Sequence, residues 1–434
     1  MGRALRPLAH SLAALSAVTA APLLLGAMAF RRDLRVGLRQ RLGFVPPPGP
    51  GRVWVHGSSV GEALAALRLV EALRASGHAV YGSASTPTGQ LMMRSSLPEL
   101  PCALAPLDHP WCVEAALSRV EPRLVALVET ELWPSWIAAA RRRGVPVVVV
   151  SGRLSDRSFP RYRRLRRLLA PTLRRLDAVG ARTDLDAARF VELGVPAARV
   201  EITGDLKLEL PGGVATLATD LVRALSEVPI IVAGSTHLGE ERAARRAFDA
   251  CAAASLPAAL VVAPRHLQRV PQIEREFRNA GRNVRRRSQL GSMPLAPGEV
   301  LLLDTLGELS AVYAAAAVAF VGGSLVPVGG HNLIEPVFAG CPVVFGPHVH
   351  NVRVHAEVAI SSGAGIRVEN AEELGRAFVA TLRDPDARLA RASRGQQALE
   401  KHQGSALRTA RLIEQVLQSR GLVDERVRSN DPEG

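Results

Sequence analysis

A glutamate follows the first strand that the sequence predicts beyond the N-terminal segment. The stretch HGSSVGEALAALRLVEAL at 56–73 has a small polar turn and then a helix, with Glu62 in its first turn. A carboxylate there could act as a general base on a hydroxyl, because the amides of such a turn suit an anion or a sugar. It could equally do no more than complement the helix dipole. Both interpretations of Glu62 stay open.

Two more glutamates, Glu129 and Glu131, lie at a predicted strand-to-helix junction in VETELWPSWI at 128–137. If the strand's alternation continues through them, they share one face and Thr130 faces away. They would then place two acids beside the tryptophans of the same stretch. The alternative is that they cap the next helix and face solvent.

The second half of the chain contains turns suited to a phosphate. AGSTHLGEE at 233–241 predicts a strand, a small-residue turn and a helix start, as in a phosphate cradle, although it lacks a Walker or GxGxxG spacing. Arg265 and His266 follow the next strand, and an arginine there can hold a phosphate bidentately. GGHN at 329–332 leads into a helix with Glu335, which is either a ribose acceptor or a buried structural residue.

Hydrophobic patterning predicts the scaffold that collects these residues. Short β-branched runs alternate with helix-length amphipathic stretches, which is typical of βαβ units in a parallel sheet. The runs lie at 53–56, near 80, near 126, near 148, and then at 229–234, 259–265, 299–304, 318–324 and 341–346. The polar stretch at 209–220 separates the two sets. We therefore predict two doubly wound α/β domains, with ligands beyond the carboxyl ends of the strands.

Positive charge is the unusual feature of the composition. The 434 residues include 54 Lys and Arg against 40 Asp and Glu, a formal net charge of +14, and the only lysines are Lys207 and Lys401. The balance predicts a polyanionic partner, with arginine-rich coding as a partial alternative. Aromatic residues make up only 4%, which argues against nucleic acid because bases stack on aromatic rings. The arginine-rich stretch 151–176 predicts an amphipathic helix on an anionic membrane, or a solvated surface helix.

The N-terminus predicts a membrane anchor. Residues 7–30 carry no formal charge, and a helix of that length can cross the roughly 30 Å of membrane hydrocarbon. Arginines are denser after this segment than before it, which favours a cytoplasmic location for the rest of the chain. A cleaved signal peptide is the alternative, because Ala27-Met28-Ala29 is similar to a cleavage site. We expect one anchor over 1–31 in the inner membrane and a catalytic body on its cytoplasmic face.

Ordered blocks between about residues 50 and 351 resemble the 3-deoxy-D-manno-octulosonic acid (Kdo) transferases of lipopolysaccharide assembly. ETELWP and GGHNLIEP are the most specific, and the others are HGSSVGE, SGRLSDRS, TGDLKLE, AGSTHLGEE, PRH, DTLGEL and FGPHVHN. The resemblance implies two Rossmann-like domains in the GT-B arrangement, an acceptor-binding domain at 32–212 and a CMP-sugar-binding domain with C-terminal helices at 213–434. It also implies transfer of Kdo from CMP-Kdo to a lipid A precursor (lipid IVA), with inversion and without a metal or other cofactor.

The resemblance further implies roles for individual residues. Glu62 matches the general base that deprotonates the acceptor hydroxyl, and Glu131 and Lys207 match residues that stabilise the transition state. The positions that match CMP contacts are Pro264, Arg265, Leu306, Gly307, Glu308, Asn332, Leu333, Ile334 and Glu335. The turn reads HGSSVGE where the family more often has HAVSVGE, and TGDLKLE has aspartate where asparagine is usual.

Two other functions stay open from the sequence. One is a two-domain glycosyltransferase that uses a UDP-sugar, and the other is a non-catalytic, basic membrane-binding module. The predicted partners are CMP-Kdo, a lipid A precursor and the anionic inner-membrane surface, and nucleic acid is not among them. Four scattered cysteines without ligand spacing argue against structural zinc and against a disulfide framework.

Overall fold

The computed structural model describes residues 36–130, 132–210, 216–291 and 293–422. The anchor predicted at 1–31 lies outside these ranges. Within them, no helix has both the length and the apolar character needed to cross a membrane. The described chain forms two compact units: one comprises the residues up to Glu209 and those from Gly404 onward, and the other is Leu210–Gln403.

An all-parallel sheet forms the centre of the first unit. Its strands in the described residues are β1 (Val53–Gly57), β2 (Val80–Ala84), β3 (Cys102–Leu104), β4 (Leu124–Val128), β5 (Val147–Gly152), β6 (Ala178–Ala181) and β7 (Val200–Ile202). They are ordered β3-β2-β1-β4-β5-β6-β7. Val53 and Val55 pack into one hydrophobic core and Trp54 into another, so the sheet is covered on both faces. That arrangement explains why its strands are continuous apolar runs.

Helices connect these parallel strands. They are α1 (Leu38–Arg41), α2 (Val60–Ala75), α3 (Pro87–Ser96), α4 (Pro110–Val120), α5 (Pro134–Arg142), α6 (Phe159–Arg164), α7 (Arg166–Leu173) and α8 (Asp184–Leu193). Proline occupies the first turn of α3, α4 and α5, where its missing N–H leaves no helical hydrogen bond unmade.

The second unit repeats the architecture. Its described strands are β8 (Ile230–Thr236), β9 (Ala259–Pro264), β10 (Val284–Arg286), β11 (Val300–Leu302), β12 (Ala316–Val321), β13 (Val343–Phe345) and β14 (Gly365–Arg367). All are parallel, in the order β10-β11-β9-β8-β12-β13-β14. The helices are α9 (Thr219–Ala224), α10 (Glu240–Ala253), α11 (Val270–Asn279), α12 (Leu309–Ala314), α13 (Ile334–Phe338), α14 (Arg353–Ser361), α15 (Ala371–Arg383) and α16 (Pro385–Glu400). The prediction of two parallel-sheet α/β domains is confirmed.

The predicted domain boundary is wrong for the end of the chain. The last described helix, α17 (Ser405–Ser419), belongs to the first unit and not to a domain at 213–434. Its apolar residues Ala406, Ala410, Ile413 and Leu417 recur every three or four positions and join the core that also contains residues of α2. The Glu209 carboxylate accepts from the Ser405 hydroxyl (2.6 Å) and thereby fixes the start of the helix.

The arginine-rich stretch forms two short helices, α6 and α7, where the sequence predicted one amphipathic helix. The predicted apolar face is divided: Leu173 and Leu176 are buried, whereas Leu165 and Leu168 are exposed by 46% and 73%. The chain leaves the helical path at Leu165, between the two helices. Two leucines therefore lie among the exposed arginines of this surface.

The docking of α17 generates a stability prediction. Ile413 is fully buried, so Ile413→Ala should destabilise the first unit by about 2–4 kcal/mol through lost burial and a residual cavity. Leu407 lies on the same helix but is 54% exposed, so Leu407→Ala is the matched control and should change little. Thermal unfolding followed by circular dichroism measures both. Equal midpoints for the two variants would contradict this packing.

Candidate active site

The turn after β1 holds Glu62 through close backbone packing and a capping box. A Cβ on Gly57 would lie 2.7 Å from the Glu62 carbonyl oxygen, so the strand needs glycine to approach α2 this closely. Glu62 Oε2 accepts from the amides of Ser58 (2.8 Å) and Ser59 (3.3 Å), and the Ser59 side chain caps α2. Oε1 accepts no hydrogen bond from the described residues. Capping therefore uses one oxygen and leaves the other for a substrate hydroxyl.

An ammonium group and a second carboxylate lie beside this turn. Lys207 Nζ forms an ion pair with Glu129 Oε1, and the two side chains are only 17% and 14% exposed. A Cβ on Gly61 would lie 3.7 Å from Lys207 Nζ, so the ammonium borders the residue next to Glu62. Glu129 directly follows β4 and has φ 63°, a conformation that is strained for a side chain of this kind.

These charges affect the protonation of Glu62. Burial is the main cause that raises its pKa above the ordinary value, and the Glu129 carboxylate raises it further. The Lys207 ammonium lowers the pKa, as do the hydrogen bonds from Ser58 and Ser59. The net shift is upward, which makes the Glu62 carboxylate more basic than an ordinary glutamate.

A buried ion pair fixes the loop that carries Lys207. The Asp205 side chain is fully buried, and its Oδ2 lies 2.8 Å from Arg182 Nη1. Its Oδ1 accepts from the Ser151 hydroxyl (3.2 Å) and from the Lys207 amide (3.0 Å). Ser151 lies in β5, Arg182 follows β6, and the loop follows β7. One carboxylate therefore ties three neighbouring strand ends together behind the ammonium.

Glu131 lies outside the described residues, so its predicted role stays a prediction. The residue that pairs with Lys207 is Glu129, which the sequence identified only as an acid at this junction. The predicted alternation of the two glutamates does not apply, because β4 ends at Val128. The alternation of side chains along a strand therefore could not show which of the two glutamates pairs with Lys207.

A neutral histidine lies beneath the Glu62 turn. Trp54 Nε1 donates to the Ser83 hydroxyl (2.8 Å), and the same hydroxyl is hydrogen-bonded to His56 Nδ1 (2.9 Å). Burial lowers the pKa of His56 to about 4, so the ring is uncharged at neutral pH. The hydroxyls of Ser58 and Ser85 are hydrogen-bonded to each other (2.9 Å) above it. This network supports the turn by hydrogen bonding and not by charge.

In the second unit, the residues predicted to contact CMP follow neighbouring strands. Pro264 ends β9 and Arg265 comes next, residues 306–308 follow β11, and residues 332–335 follow β12. These strands surround β8 in one parallel sheet, so the structure brings the three segments to the same edge. The sequence analysis placed Arg265 directly after a strand, and the structure does the same.

The side chains of these segments differ in what they can offer a ligand. Leu333 and Ile334 are buried, whereas Leu306 is 82% exposed. Asn332 Oδ1 accepts from the Ile334 amide (3.0 Å), and its Nδ2 donates to Glu335 Oε1 (2.9 Å). The amide side chain thus fixes both the start of α13 and the orientation of its glutamate.

The Glu308 carboxylate is bound within the protein. Arg287 donates to it through Nε (3.0 Å) and Nη2 (2.7 Å), and Thr305 donates through its hydroxyl. Arg287 also bridges to Asp220 (2.7 Å), which joins α9 to the turn at 305–308. Gly307 has φ 87°, which this turn requires.

A glutamate links the predicted phosphate cradle at 233–241 to the glycine loop after β12. The buried Glu240 carboxylate accepts from the amides of His237 (2.9 Å), Gly323 (2.7 Å), Ser324 (3.0 Å) and Leu325 (2.9 Å). Four charge-assisted hydrogen bonds hold the glycine loop after β12 against the turn after β8. Within the predicted cradle, the His237 amide is thus already bound by a carboxylate of the next helix, and the other three amides belong to the glycine loop.

Three histidines meet at this edge, and the sequence analysis did not group them. His237 Nε2 lies 2.8 Å from His331 Nε2 with the rings stacked, and the His266 ring packs edge-on to His237, with centroids 5.5 Å apart. Each follows one of the neighbouring strands β8, β9 and β12. Their shared position after predicted strands is the sequence feature from which the cluster could have been predicted.

Each unit thus offers distinct chemistry at its strand ends. The first has a carboxylate with a raised pKa beside an ion-paired ammonium, and the second has an arginine and histidines beside glycine-rich turns. In the described ranges, no group of three or more His, Cys, Asp or Glu has the geometry to hold a metal ion. Two parallel α/β units of this kind resemble those of the class of GT-B glycosyltransferases.

Comparisons with known proteins identify the family within this class. A family model described as 3-deoxy-D-manno-octulosonic-acid transferase (kdotransferase) matches residues 36–210. The chain is 37% identical over 382 residues to the 3-deoxy-D-manno-octulosonic acid transferase of Bordetella pertussis, covering 86% of this chain and 89% of that one. The chain belongs to the Kdo transferase family.

Two further similarities agree with that assignment. The Kdo transferase of Haemophilus influenzae is 30% identical over 394 residues, which cover 88% of this chain and 92% of that protein. The crystal structure of MurG from Acinetobacter baumannii superposes with a TM-score of 0.51 at 15% identity, over 84% of this chain and all of that one. At this identity the second similarity concerns the fold alone.

The charges around Glu62 generate a titration prediction. Glu129→Gln removes a negative neighbour, so the pKa of Glu62 should fall. Lys207→Met removes a positive neighbour, so the pKa should rise. Carboxyl ¹³C chemical shifts followed by NMR over pH measure both shifts. A change in the same direction in the two variants would contradict the assigned geometry.

Proposed function

We propose that this protein transfers Kdo from CMP-Kdo to a lipid A precursor, lipid IVA, in lipopolysaccharide synthesis. The observation that carries the proposal is the Glu62 carboxylate beside the Glu129–Lys207 ion pair, in a chain of the Kdo transferase family. The relatives are Kdo transferases and so indicate the transferred sugar, and the geometry of these residues supports the roles that follow.

Glu62 acts as the general base. Its carboxylate takes the proton of the acceptor hydroxyl, and the hydroxyl oxygen attacks the anomeric carbon of Kdo as the bond to the CMP phosphate breaks. The bonding electrons leave with CMP. A single displacement of this kind inverts the anomeric centre. The raised pKa of Glu62 suits the role, because a more basic carboxylate accepts a proton more readily.

Lys207 stabilises the negative charge that develops in this displacement. Its ammonium is oriented by Glu129 and by the Asp205–Arg182 pair behind its loop, so little reorganisation accompanies the reaction. Glu131 is included with Lys207 in this role on the family resemblance.

The second unit binds CMP-Kdo. Arg265 pairs with the phosphate, Glu335 accepts from the ribose, and the main chain at Leu306, Gly307, Leu333 and Ile334 surrounds the nucleotide, with Pro264 and Asn332 shaping the site. The Glu308 carboxylate is already held by Arg287, so we assign its side chain to fixing the 305–308 turn. We propose no metal or other cofactor, because a single phosphate is neutralised by an arginine and amide donors.

We also propose a location at the cytoplasmic face of the inner membrane. The predicted anchor at 1–31 and the exposed arginines of α6 and α7 support it, since basic side chains are drawn to anionic lipid surfaces. Exposed Leu165 and Leu168 add apolar contact to that surface.

Glu62→Gln tests the base. Turnover should fall by roughly 10²- to 10⁴-fold because the amide cannot accept the proton, while CMP affinity is retained. Glu71→Gln, an exposed glutamate of the same helix, is the control and should keep full activity. Product formation from CMP-Kdo and tetraacylated acceptor is followed by mass spectrometry, which also counts the Kdo units added. Full turnover by Glu62→Gln would refute the base, and transfer only from a UDP-sugar would refute the donor.

Vesicle binding tests the basic surface. In a chain truncated to 31–434, Arg164→Ala with Arg167→Ala should weaken binding to anionic vesicles about 30-fold, from roughly 1 kcal/mol per arginine. Arg242→Ala with Arg246→Ala removes the same charge from α10 and is the control. Added salt should weaken the binding of the unsubstituted chain. Equal loss in both double variants would show that net charge, and not this surface, is responsible.

A further inference from the structure

The histidine cluster of the second unit has a geometry that the proposed roles do not use. His237 and His331 are stacked with ring centroids 5.1 Å apart, and their Nε2 atoms are 2.8 Å apart. One Nε2 must donate to the other, so a single proton lies between the two rings. In the neutral pair, one Nδ1 carries a hydrogen and the other does not.

The surroundings of this pair favour the neutral form in the absence of a ligand. Burial lowers the pKa of His331 to about 4, helped by His237, Arg265 and His266. Burial also lowers the pKa of His237, which is raised in part by Glu240 and Glu241 and lowered by His266 and Arg269. A histidine pair with lowered pKa values is uncharged at neutral pH.

The carboxylates near the pair are already compensated. Glu240 accepts from four backbone amides, and Glu241 accepts from both terminal nitrogens of Arg269 (2.7 and 3.0 Å) and from the Thr236 hydroxyl (2.9 Å). Protonation of the pair would therefore add a positive charge beside Arg265 with no protein anion assigned to it. An anionic ligand at this edge would supply the missing countercharge.

We propose that the His237–His331 pair, together with Arg265, forms an oxyanion subsite for the donor that takes up a proton when the anion binds. The inference rests on the proposed function, because a CMP-sugar acid carries two oxyanions, a phosphate and a carboxylate. With one added proton, both Nδ1 atoms become donors while the Nε2 hydrogen bond is kept. The two Nδ1 atoms lie at opposite ends of the pair, so one charge-assisted Nδ1 donor acts with the guanidinium on the anion.

The proton linkage has a defined sign. A ligand that binds the protonated pair better raises its pKa, so affinity must increase as pH falls. For uptake of one proton, the dissociation constant changes by at most about tenfold per pH unit. Ionisation of Glu62 increases as pH rises, which is the opposite pH dependence. Measuring ligand binding separately from turnover therefore distinguishes the two effects.

Calorimetric titration of the full-length protein with CMP is the experiment. Heats measured at pH 7 in buffers of different ionisation enthalpy give the number of protons taken up. The wild type should take up more protons than His331→Gln or His237→Gln, and either substitution should weaken CMP about tenfold or more at pH 7 through the lost charged donor. CMP itself titrates equally in all samples, so the difference between proteins isolates the pair.

The substitutions and controls separate a proton role from a structural one. Glutamine at His331 can still hydrogen-bond to His237 but takes up no proton, so a structural role alone would preserve both affinity and its pH dependence. His109→Asn removes a titratable ring from the first unit while keeping a good helix cap, and it should match the wild type. Wild-type proton uptake and CMP affinity in both cluster variants would exclude the phosphate as the anion of this subsite.

Two measurements show which oxyanion of the donor, the phosphate or the carboxylate, occupies the subsite. If the phosphate occupies the subsite, the difference between proteins is present with CMP alone. If the carboxylate of the sugar occupies it, CMP binding is unchanged and the pH-dependent difference is found in the KM for CMP-Kdo. If neither measurement shows a difference, the subsite is refuted. Failure of the wild type to turn over CMP-Kdo would instead refute the proposed function, so the two failures are distinguishable.

Discussion

Every strand described in each sheet runs parallel to its neighbours, so the loops that leave the carboxyl ends gather along one edge. Glu62, Glu129 and Lys207 come from segments far apart in the chain and meet because β1, β4 and β7 end on that edge. The same constraint in the second sheet unites the segments after β8, β9, β11 and β12. The chemistry of both units depends on this shared direction.

Buried carboxylates then fix the loops in place. Glu240 binds four amides of two loops, Asp205 joins Arg182 to the Lys207 loop, and Glu308 is held by Arg287. Each of these acids has its charge compensated within the protein, and removing a partner would leave a buried charge that is expensive to keep. Glu62 differs, because its Oε2 is used for capping while Oε1 accepts no hydrogen bond in the described part of the chain. The contrast separates acids that support the site from the one suited to proton transfer.

The two units divide the proposed reaction between them. The first provides the base and the oriented ammonium, and the second provides donors for the nucleotide and its oxyanions. Burial lowers the pKa of His331 near Arg265, which limits repulsion between the ring and the guanidinium. The proposed proton uptake would add positive charge there only when an anion binds.

The sequence alone determined the two parallel α/β domains, the strand ends that carry Glu62, Arg265 and residues 332–335, and the family, since these follow from local hydrophobic periodicity and short motifs. Only the tertiary structure decided which glutamate pairs with Lys207, that α17 packs on the first unit, and that Glu240 joins the turn after β8 to the glycine loop after β12. These outcomes depend on contacts between residues distant in the chain. Local pattern does not encode which of several strand-end side chains will meet, because that is set by strand order and by the compensation of buried charge.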